Sequence, residues 1–116
     1  MASDPHNLQR FVEAQESTYV QALRELSEGR KRSHWMWFIF PQMRGLGFSS
    51  MAERYGISGQ AEAEAYLAHP VLGSRLREAT ELVLAVEGRG IRRILGWIDA
   101  MKFRSSMTLF EAVAPE

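Results

Sequence analysis

Six large apolar residues follow one another from Trp35 to Phe40, and Pro41 ends the run. The run shows neither the strict alternation of a half-buried strand nor the three-to-four-residue spacing of an amphipathic helix. It therefore predicts a segment that is buried on all sides, as a helix or a short strand. A chain of 116 residues is long enough to pack one core around such a segment.

Most of the remaining chain has the spacing of amphipathic helices. Near the start, apolar residues recur at intervals of three, four and seven, which predicts one helix over 5–27 or two helices with a kink at Ser17 and Thr18. Glycine and proline divide the chain after the aromatic run into shorter predicted helices, at 50–54, 58 to 67 or 68, 70–87, 91–95 and 99 to 103 or 113. The predicted fold class is mainly α, a single compact domain over 1–116 with about five to six helices.

Three polar residues are placed to cap these helices. Ser58 and Asp99 are each predicted as the N-cap of the next helix, because a short side chain with an oxygen can accept a hydrogen bond from the first turn. His69 stands before Pro70 at the junction of two helices and is predicted as a cap as well.

The composition excludes several kinds of chemistry. The chain has no cysteine, which excludes disulfides, thiolate metal sites and cysteine nucleophiles. Its three histidines lack metal-ligand spacing, and the sequence has no phosphate loop, dinucleotide fingerprint or nucleophile elbow, so neither a metal nor a cofactor is expected. The start of the chain does not have the pattern of an export signal, and the longest apolar run is too short for a membrane span. We therefore expect a cytoplasmic protein.

Charge is unevenly distributed along the chain, although the net charge is zero. Residues 30–54 and 89–104 each carry a net charge of +4. The two stretches would attract anions if they met in space, or they would be solvated faces paired with the acidic helices. Three adjacent basic residues on a neutral chain are a weak footprint for nucleic acid, so the charge pattern argues against a nucleic-acid partner. A nucleic-acid binder would require the two basic stretches to form one continuous stripe.

Four segments carry a recognisable pattern: LQRFVxAQ at 8–15, GRKRSHWMWFIFPQ at 29–42, AYLxHPxLG at 65–73 and KxRSSMTLF at 102–110. Together they resemble the bacterial domain-of-unknown-function family 1810, some of whose members are labelled calpastatin-like. The resemblance implies a compact, mainly helical fold and no established activity. Family members commonly continue with a further helical stretch, so it also implies that this chain is truncated at its C-terminus relative to the family.

A shorter likeness concerns FVEAQ at 11–15, which is similar to a helix motif of NADAR-type N-glycosidases that act on ADP-ribose conjugates. It implies that an enzymatic reaction of this chain would be hydrolysis of an N-glycosidic bond. In that scheme His34 or Glu13 would supply acid–base catalysis. The sequence leaves open whether the chain is an enzyme.

The aromatic run and its flank supply the central candidates for a site. Trp35 and Trp37 can stack a base or a sugar, or they can belong to the core. His34 stands between three basic residues and the aromatic run, where a neighbouring charge would move its titration across neutral pH. It is a candidate general acid or base, and the alternative is a structural histidine.

Polar and basic residues complete the predicted site. Gln15 and Gln42 lie where an amide is either a structural clasp or a group that reads a ligand. Guanidinium, ammonium and hydroxyl groups suit a phosphate or a carboxylate, and the alternative is an ordinary helix surface. The residues expected to bind the anion are Arg30, Lys31, Lys102, Arg104 and Ser105.

These candidates favour a site for a small anionic ligand, similar to a nucleotide or to ADP-ribose. The alternative is a protein-interaction module without catalytic activity, whose exposed aromatic and basic residues dock a partner that the sequence does not identify. The position of the tryptophans separates the two hypotheses. A concave pocket with a polar rim favours the ligand, and a flat patch favours the partner.

Overall fold

The computed structural model describes residues 4–46, 49–85 and 94–114. Within these ranges lie seven helices of at least four described residues each, and no strand occurs in them. Their bounds are α1 Gln9–Glu16, α2 Tyr19–Ser27, α3 Met36–Ile39, α4 Ser50–Arg54, α5 Gln60–Ala68, α6 Leu72–Ala85 and α7 Trp97–Val113. The prediction of a mainly α domain is confirmed, and the aromatic run forms a helix rather than a strand.

The first predicted helix is divided into α1 and α2, which is one reason why there are more helices than the five to six predicted. The break falls at Ser17 and Thr18, where the kink was predicted. The hydroxyl of Thr18 donates a hydrogen bond of 2.8 Å to the carbonyl of Ala14. Such bonds from serine and threonine to the preceding turn often accompany bends in helices.

The start of α1 lies later than the sequence predicts. The carboxylate of Asp4 accepts hydrogen bonds from the main-chain N–H groups of Leu8 and Gln9, at 2.7 and 3.0 Å. These bonds hold the pKa of Asp4 below its usual value. Because Asp4 reaches the amides of residues 8 and 9, the chain before Gln9 forms turns and Pro5 is not the first helical residue.

The middle helices agree with the prediction, with one correction. The helix α4 coincides with the predicted range 50–54. The N-cap of α5 is Gly59, one residue after the predicted Ser58. Both the N–H and the hydroxyl of Ser58 donate to the carboxylate of Glu62, at 2.9 and 2.8 Å, so the serine binds a side chain of the helix instead of capping its backbone.

The two other predicted caps have different outcomes. His69 is a cap, because its Nδ1 atom accepts hydrogen bonds from the N–H groups of Val71 and Leu72 at 3.1 and 3.2 Å. Asp99 is not, since α7 starts two residues earlier and its N-cap is Gly96. Asp99 lies in the first turn instead, where a carboxylate stabilises the positive end of the helix dipole.

Part of the predicted pattern lies outside the described residues. This applies to the predicted helix end at Gly88 and Gly90 and to residues 91–93 of the predicted helix 91–95. Ile94 and Leu95 are described; both are helical and buried. No helix in the described ranges is long and apolar enough to cross a membrane.

The helix α3 is central to the core and packs against α1, α6 and α7. Phe38, Ile39 and Phe40 are 5%, 2% and 1% exposed, which confirms their predicted place in the core. The ring of Phe38 meets Tyr55 edge-on at 5.3 Å between centroids, and Phe40 meets Phe103 at 4.9 Å. Edge-to-face pairs of this kind add to the free energy gained from burial.

The helices α5 and α6 approach each other closely at Gly73. A Cβ atom at this position would lie 2.1 Å from the carbonyl oxygen of Leu67, so a larger residue would push the two helices apart. Gly73 therefore sets the distance between α5 and α6.

Candidate functional site

A buried glutamate on α2 organises the loop that leads into α3. Glu25 is 0% exposed, and its carboxylate accepts five hydrogen bonds. Four come from the loop: from the N–H of Arg32 at 2.7 Å, the N–H and hydroxyl of Ser33 at 2.9 and 2.6 Å, and the indole N–H of Trp35 at 2.9 Å. The fifth comes from the amide of Gln21 at 2.8 Å. One side chain thus positions the loop before α3.

These hydrogen bonds also set the charge of Glu25. Burial opposes ionisation, but the bonds from Ser33, Gln21 and Arg32 outweigh it and hold the pKa of Glu25 well below its usual value. The sequence pattern did not single out Glu25 as a candidate for this role. The available signal was its place directly before Leu26, on the apolar side of α2.

Lys31, the residue directly before Arg32 in the same loop, is also held firmly. Its ammonium lies 2.8 Å from the carboxylate of Asp99, donates to the carbonyl of Ser33 at 2.5 Å and lies 5.1 Å from the ring centroid of Trp35. Only 9% of the side chain is exposed. Lys31 therefore links the loop to the first turn of α7. Its positive charge is already paired with the carboxylate of Asp99.

A hollow of about 500 Å³ opens between this loop, α3 and the start of α7. We call it the Trp37 hollow. Its volume lies within the range of roughly 300–1,000 Å³ that is usual for small-molecule sites. It is lined by Lys31, His34, Met36, Trp37, Leu95, Gly96, Ile98, Asp99 and Lys102. Four predicted site residues are thus brought together, namely Lys31, His34, Trp37 and Lys102.

Lys102 is a loosely held cation in the Trp37 hollow. Its ammonium lies 4.9 Å from the ring centroid of Trp37 and 3.7 Å from one carboxylate oxygen of Asp99. The other oxygen of Asp99 is bound to Lys31 at 2.8 Å, so two cations share one carboxylate. The start of α7 adds the partial positive charge of a helix N-terminus, and His34 lies exposed at the rim. The local charge therefore favours an anion.

A narrow cavity of about 10 Å³, large enough for about one water molecule, adjoins the Trp37 hollow. The two spaces share Met36, Trp37 and Lys102 as walls. The remaining lining residues of the narrow cavity are Phe40, Gln42, Ala52, Tyr55 and Gly56. Gln42 thus lies close to the hollow, and Trp37 and Lys102 separate it from that space.

Two predicted site residues belong to the core instead. Trp35 is 0% exposed, and its indole N–H is bound to Glu25. Gln15 is 1% exposed; its amide donates to the carbonyl of Phe38 at 2.6 Å and to the hydroxyl of Tyr66 at 3.2 Å, and it accepts from Arg75 at 3.3 Å. Of the two alternatives for Gln15, the structure shows the structural clasp.

Three other predicted anion-binding residues lie outside the Trp37 hollow. Arg104 and Ser105 line a separate hollow of about 350 Å³, next to Met43 and Leu46. Arg30 is exposed at the start of the loop. The two basic stretches do meet in space, but through Lys31 and Lys102, while Arg89, Arg92 and Arg93 lie outside the described residues.

Glu13 lines a third hollow, of about 580 Å³, and so does not share a site with His34. The lining of this hollow includes the ion pair between Arg10 and Glu62, at 2.7 Å. The guanidinium of Arg10 also donates to four main-chain carbonyls, those of His6, Asn7, Arg54 and Gly56. All five of its N–H groups are therefore engaged, and Arg10 acts as a structural residue.

A model of the family described as "Protein of unknown function (DUF1810)" matches residues 5–116. The chain belongs to this family. The resemblance found in the four sequence segments is thus confirmed. Proteins with a curated description include no match to the chain.

A solved structure shares the fold of this DUF1810 chain. It is the crystal structure of the conserved hypothetical protein Rv1873 from Mycobacterium tuberculosis, which is 56% identical in sequence and superposes with a TM-score of 0.94. The match covers 96% of this chain and 79% of that chain. Its name assigns no activity, so the similarity supports the fold and the family.

The described part of the DUF1810 chain contains no group of three or more histidine and acidic side chains that could hold a metal ion. What it offers chemically is the Trp37 hollow. There an aromatic face, a loosely held ammonium and an exposed imidazole lie beside a helix N-terminus.

Proposed function

We propose that this DUF1810 domain binds a small anionic, nucleotide-like ligand in the Trp37 hollow. The observation that carries the proposal is the position of Lys102, whose ammonium lies over the ring of Trp37 inside a concave space of about 500 Å³. A partly exposed tryptophan in a concave, polar-rimmed space is what the ligand hypothesis requires.

The charges in the hollow support an anion rather than a cation. Asp99 is already neutralised, because Lys31 holds one of its oxygens at 2.8 Å. Lys102 then adds a positive charge that only a contact of 3.7 Å ties to Asp99. A phosphate or carboxylate at the start of α7 would gain the ammonium of Lys102 and the helix dipole, and the exposed ring of His34 lies beside it at the rim.

Hydrolysis of an N-glycosidic bond stays a prediction of the sequence likeness. Within the Trp37 hollow, His34 is the residue suited to acid–base catalysis, and it would act without Glu13. A hydrolase assay is therefore the second experiment, to be made with whatever ligand the first one identifies.

The first experiment is a melting screen of the purified chain with AMP, ADP-ribose, inorganic phosphate and sulfate. A ligand at about 100 times its dissociation constant adds roughly 2.7 kcal/mol of stability, which is easily seen as a shift in Tm. We expect a shift with at least one anion that is lost in Lys102→Gln. The matched control is Arg104→Gln, which removes a cation from the same helix but from a different hollow.

The outcomes separate the hypotheses. A shift that survives in Arg104→Gln and disappears in Lys102→Gln supports the proposal. No shift with any anion, in a chain that melts cooperatively, overturns it.

The second candidate function is protein docking, which a specific observation favours. Ile98 and Met101 are 66% and 54% exposed and lie about one turn apart on α7, where Ile98 lines the Trp37 hollow. Exposed apolar residues that lie together commonly mark an interaction surface. If no anion raises the Tm of the unmodified chain, we would favour this second function.

A further inference from the structure

We infer that the ligand of the Trp37 hollow carries a planar aromatic ring as well as an anionic group, and that the ring replaces the ammonium of Lys102 on the face of Trp37. The inference rests on the proposed function. It adds the class of ligand, the displacement of Lys102, and the contact of Gln42 with the edge of the ring.

The face of Trp37 is occupied by a replaceable group. The ammonium of Lys102 lies 4.9 Å from the ring centroid, in the position that a stacked ring would take. A planar ring offers the indole a larger contact area than an ammonium does, and stacking is available to any aromatic ring because each has a π face. The cation thus covers the place where such a ring would bind.

Lys102 can leave this place without breaking a strong contact. Its distance of 3.7 Å to Asp99 is longer than a hydrogen bond, and 24% of its side chain is exposed. Lys31 would remain on Asp99 at 2.8 Å, so the carboxylate would keep a partner. The flexible four-carbon stem of a lysine allows the ammonium to turn toward an anion elsewhere in the hollow.

Movement of Lys102 would also enlarge the space. Lys102 is one of the three walls, with Met36 and Trp37, that the hollow and the narrow cavity share, so displacing it opens the hollow toward the narrow cavity. The enlarged space would bring the edge of a ring stacked on Trp37 toward Gln42, which lines the narrow cavity. An amide offers both donors and an acceptor, which suits the edge of a heterocyclic ring. Gln42 is thus assigned as a specificity-determining residue.

The test compares probes that differ only in the ring. Titration calorimetry would measure AMP against ribose 5-phosphate and phenyl phosphate against inorganic phosphate, with the unmodified chain. We expect the ring to tighten binding about tenfold or more in both pairs, as stacking on an aromatic side chain does.

Three variants of the hollow locate the effect. Trp37→Leu is expected to remove the advantage of the ring, so that AMP binds no more tightly than ribose 5-phosphate, and Trp37→Phe is expected to keep most of that advantage. Lys102→Met should weaken the binding of all four probes, because the ammonium pairs with the anion in each. If Trp37→Leu fails to fold, the comparison of Trp37→Phe with the unmodified chain still measures the contribution of the indole.

Gln42→Leu tests the reading of the ring edge. We expect it to leave phenyl phosphate binding unchanged and to reduce the differences in affinity among AMP, GMP, CMP and UMP. Unchanged differences would overturn the assignment of Gln42.

The failure of this inference differs from the failure of the proposed function. Equal affinities with and without the ring would overturn the aromatic ligand and leave the anion site standing. No binding of any probe would overturn both. An advantage of the ring that persists in Trp37→Leu would show that the ring binds elsewhere and would overturn the inference as well.

Discussion

Two buried glutamates, Glu25 on α2 and Glu62 on α5, each hold a neighbouring loop in place, but their partners differ. The five donors to Glu25 are all neutral, and the ion pairs of the described residues do not include it. Glu62 accepts from the N–H and hydroxyl of Ser58 and also forms an ion pair with Arg10 at 2.7 Å.

The difference shows two ways in which a protein can bury a carboxylate. A buried charge is costly unless its partners replace the water that it has lost. At Glu62 the positive charge of Arg10 replaces part of the lost water. Apolar residues could replace both members of this ion pair together. At Glu25 the donors do it alone, so each of them depends on the same acceptor. We therefore expect the loop before α3 to be more sensitive to change than the loop before α5.

The largest effect is expected for Glu25→Gln. The new amide nitrogen cannot accept a hydrogen bond, so donors around it lose their partner inside the core. We expect a loss of about 3–4 kcal/mol in the free energy of unfolding, measured by urea denaturation at neutral pH. The matched control is Glu28→Gln at the end of the same helix, where the side chain is 45% exposed and a change under about 0.5 kcal/mol is expected. Similar values for the two variants would show that the loop is not held through Glu25.

Glu62→Gln is expected to cost less, about 2–3 kcal/mol, because Arg10 keeps its bonds to main-chain carbonyls. A double-mutant cycle with Arg10→Met sharpens the comparison. The two changes at Arg10 and Glu62 should couple by about 1 kcal/mol or more, whereas Arg10→Met and Glu25→Gln should be additive within about 0.5 kcal/mol. Coupling of Arg10 with Glu25 would contradict the separation of the two regions.

Acid should have a smaller effect than either replacement, because a proton leaves the shape of the side chain intact. The pKa of both glutamates is lowered in the folded state, despite the opposing effect of burial: at Glu25 by its neutral donors, at Glu62 by Ser58 and Arg10. A lowered pKa contributes stability above the unfolded value, near 4.3, and that contribution is lost as the pH falls through the folded values.

Urea denaturation between about pH 5 and pH 3 checks this expectation. The stability of the unmodified chain should fall over this range, and the slope should be shallower in Glu25→Gln. An unchanged slope would mean that Glu25 does not ionise at a lowered pKa.

The smallest effect is expected for Ser33→Ala. It removes one donor to Glu25, at 2.6 Å, and leaves the main-chain N–H of the same residue bound. We expect a loss of about 1 kcal/mol. Ser27→Ala serves as the control, because its hydroxyl is exposed and binds only the carbonyl of Arg24. A loss of more than about 2 kcal/mol at Ser33 would show that its hydroxyl does more than bind Glu25.

The fold was predictable where local signals decide it. The range 50–54 and the cap at His69 are explained by polar residues, glycine and proline close to each helix end. The bounds of α1 and α7 were wrong by a few residues, because Asp4 and Gly96 offer alternative ways to begin a helix that the spacing of apolar residues does not reveal.

The site was predictable only in part, and the reason is helical geometry. The sequence left the aromatic run open between a strand, where Trp35 and Trp37 would face the same side, and a helix, where residues two apart point in nearly opposite directions. The structure has a helix from Met36, so one tryptophan is buried on Glu25 and the other faces the hollow. Lys102 and Arg104 are also two residues apart on a helix, α7, so their side chains point to different sides and line different hollows.

The brevity of α3 has a consequence for how the chain folds. A helix of four residues cannot form by itself in water, because so few hydrogen bonds do not offset the cost of the first turn. We therefore expect α3 to form only when neighbouring helices pack against it. The loop before α3 can donate its hydrogen bonds to Glu25 only after α2 has formed. Contacts that form late in folding affect the unfolding rate more than the folding rate. Removing a hydrogen bond to Glu25 should therefore accelerate unfolding far more than it slows refolding. The contacts around α3 would thus determine how long the native state lasts.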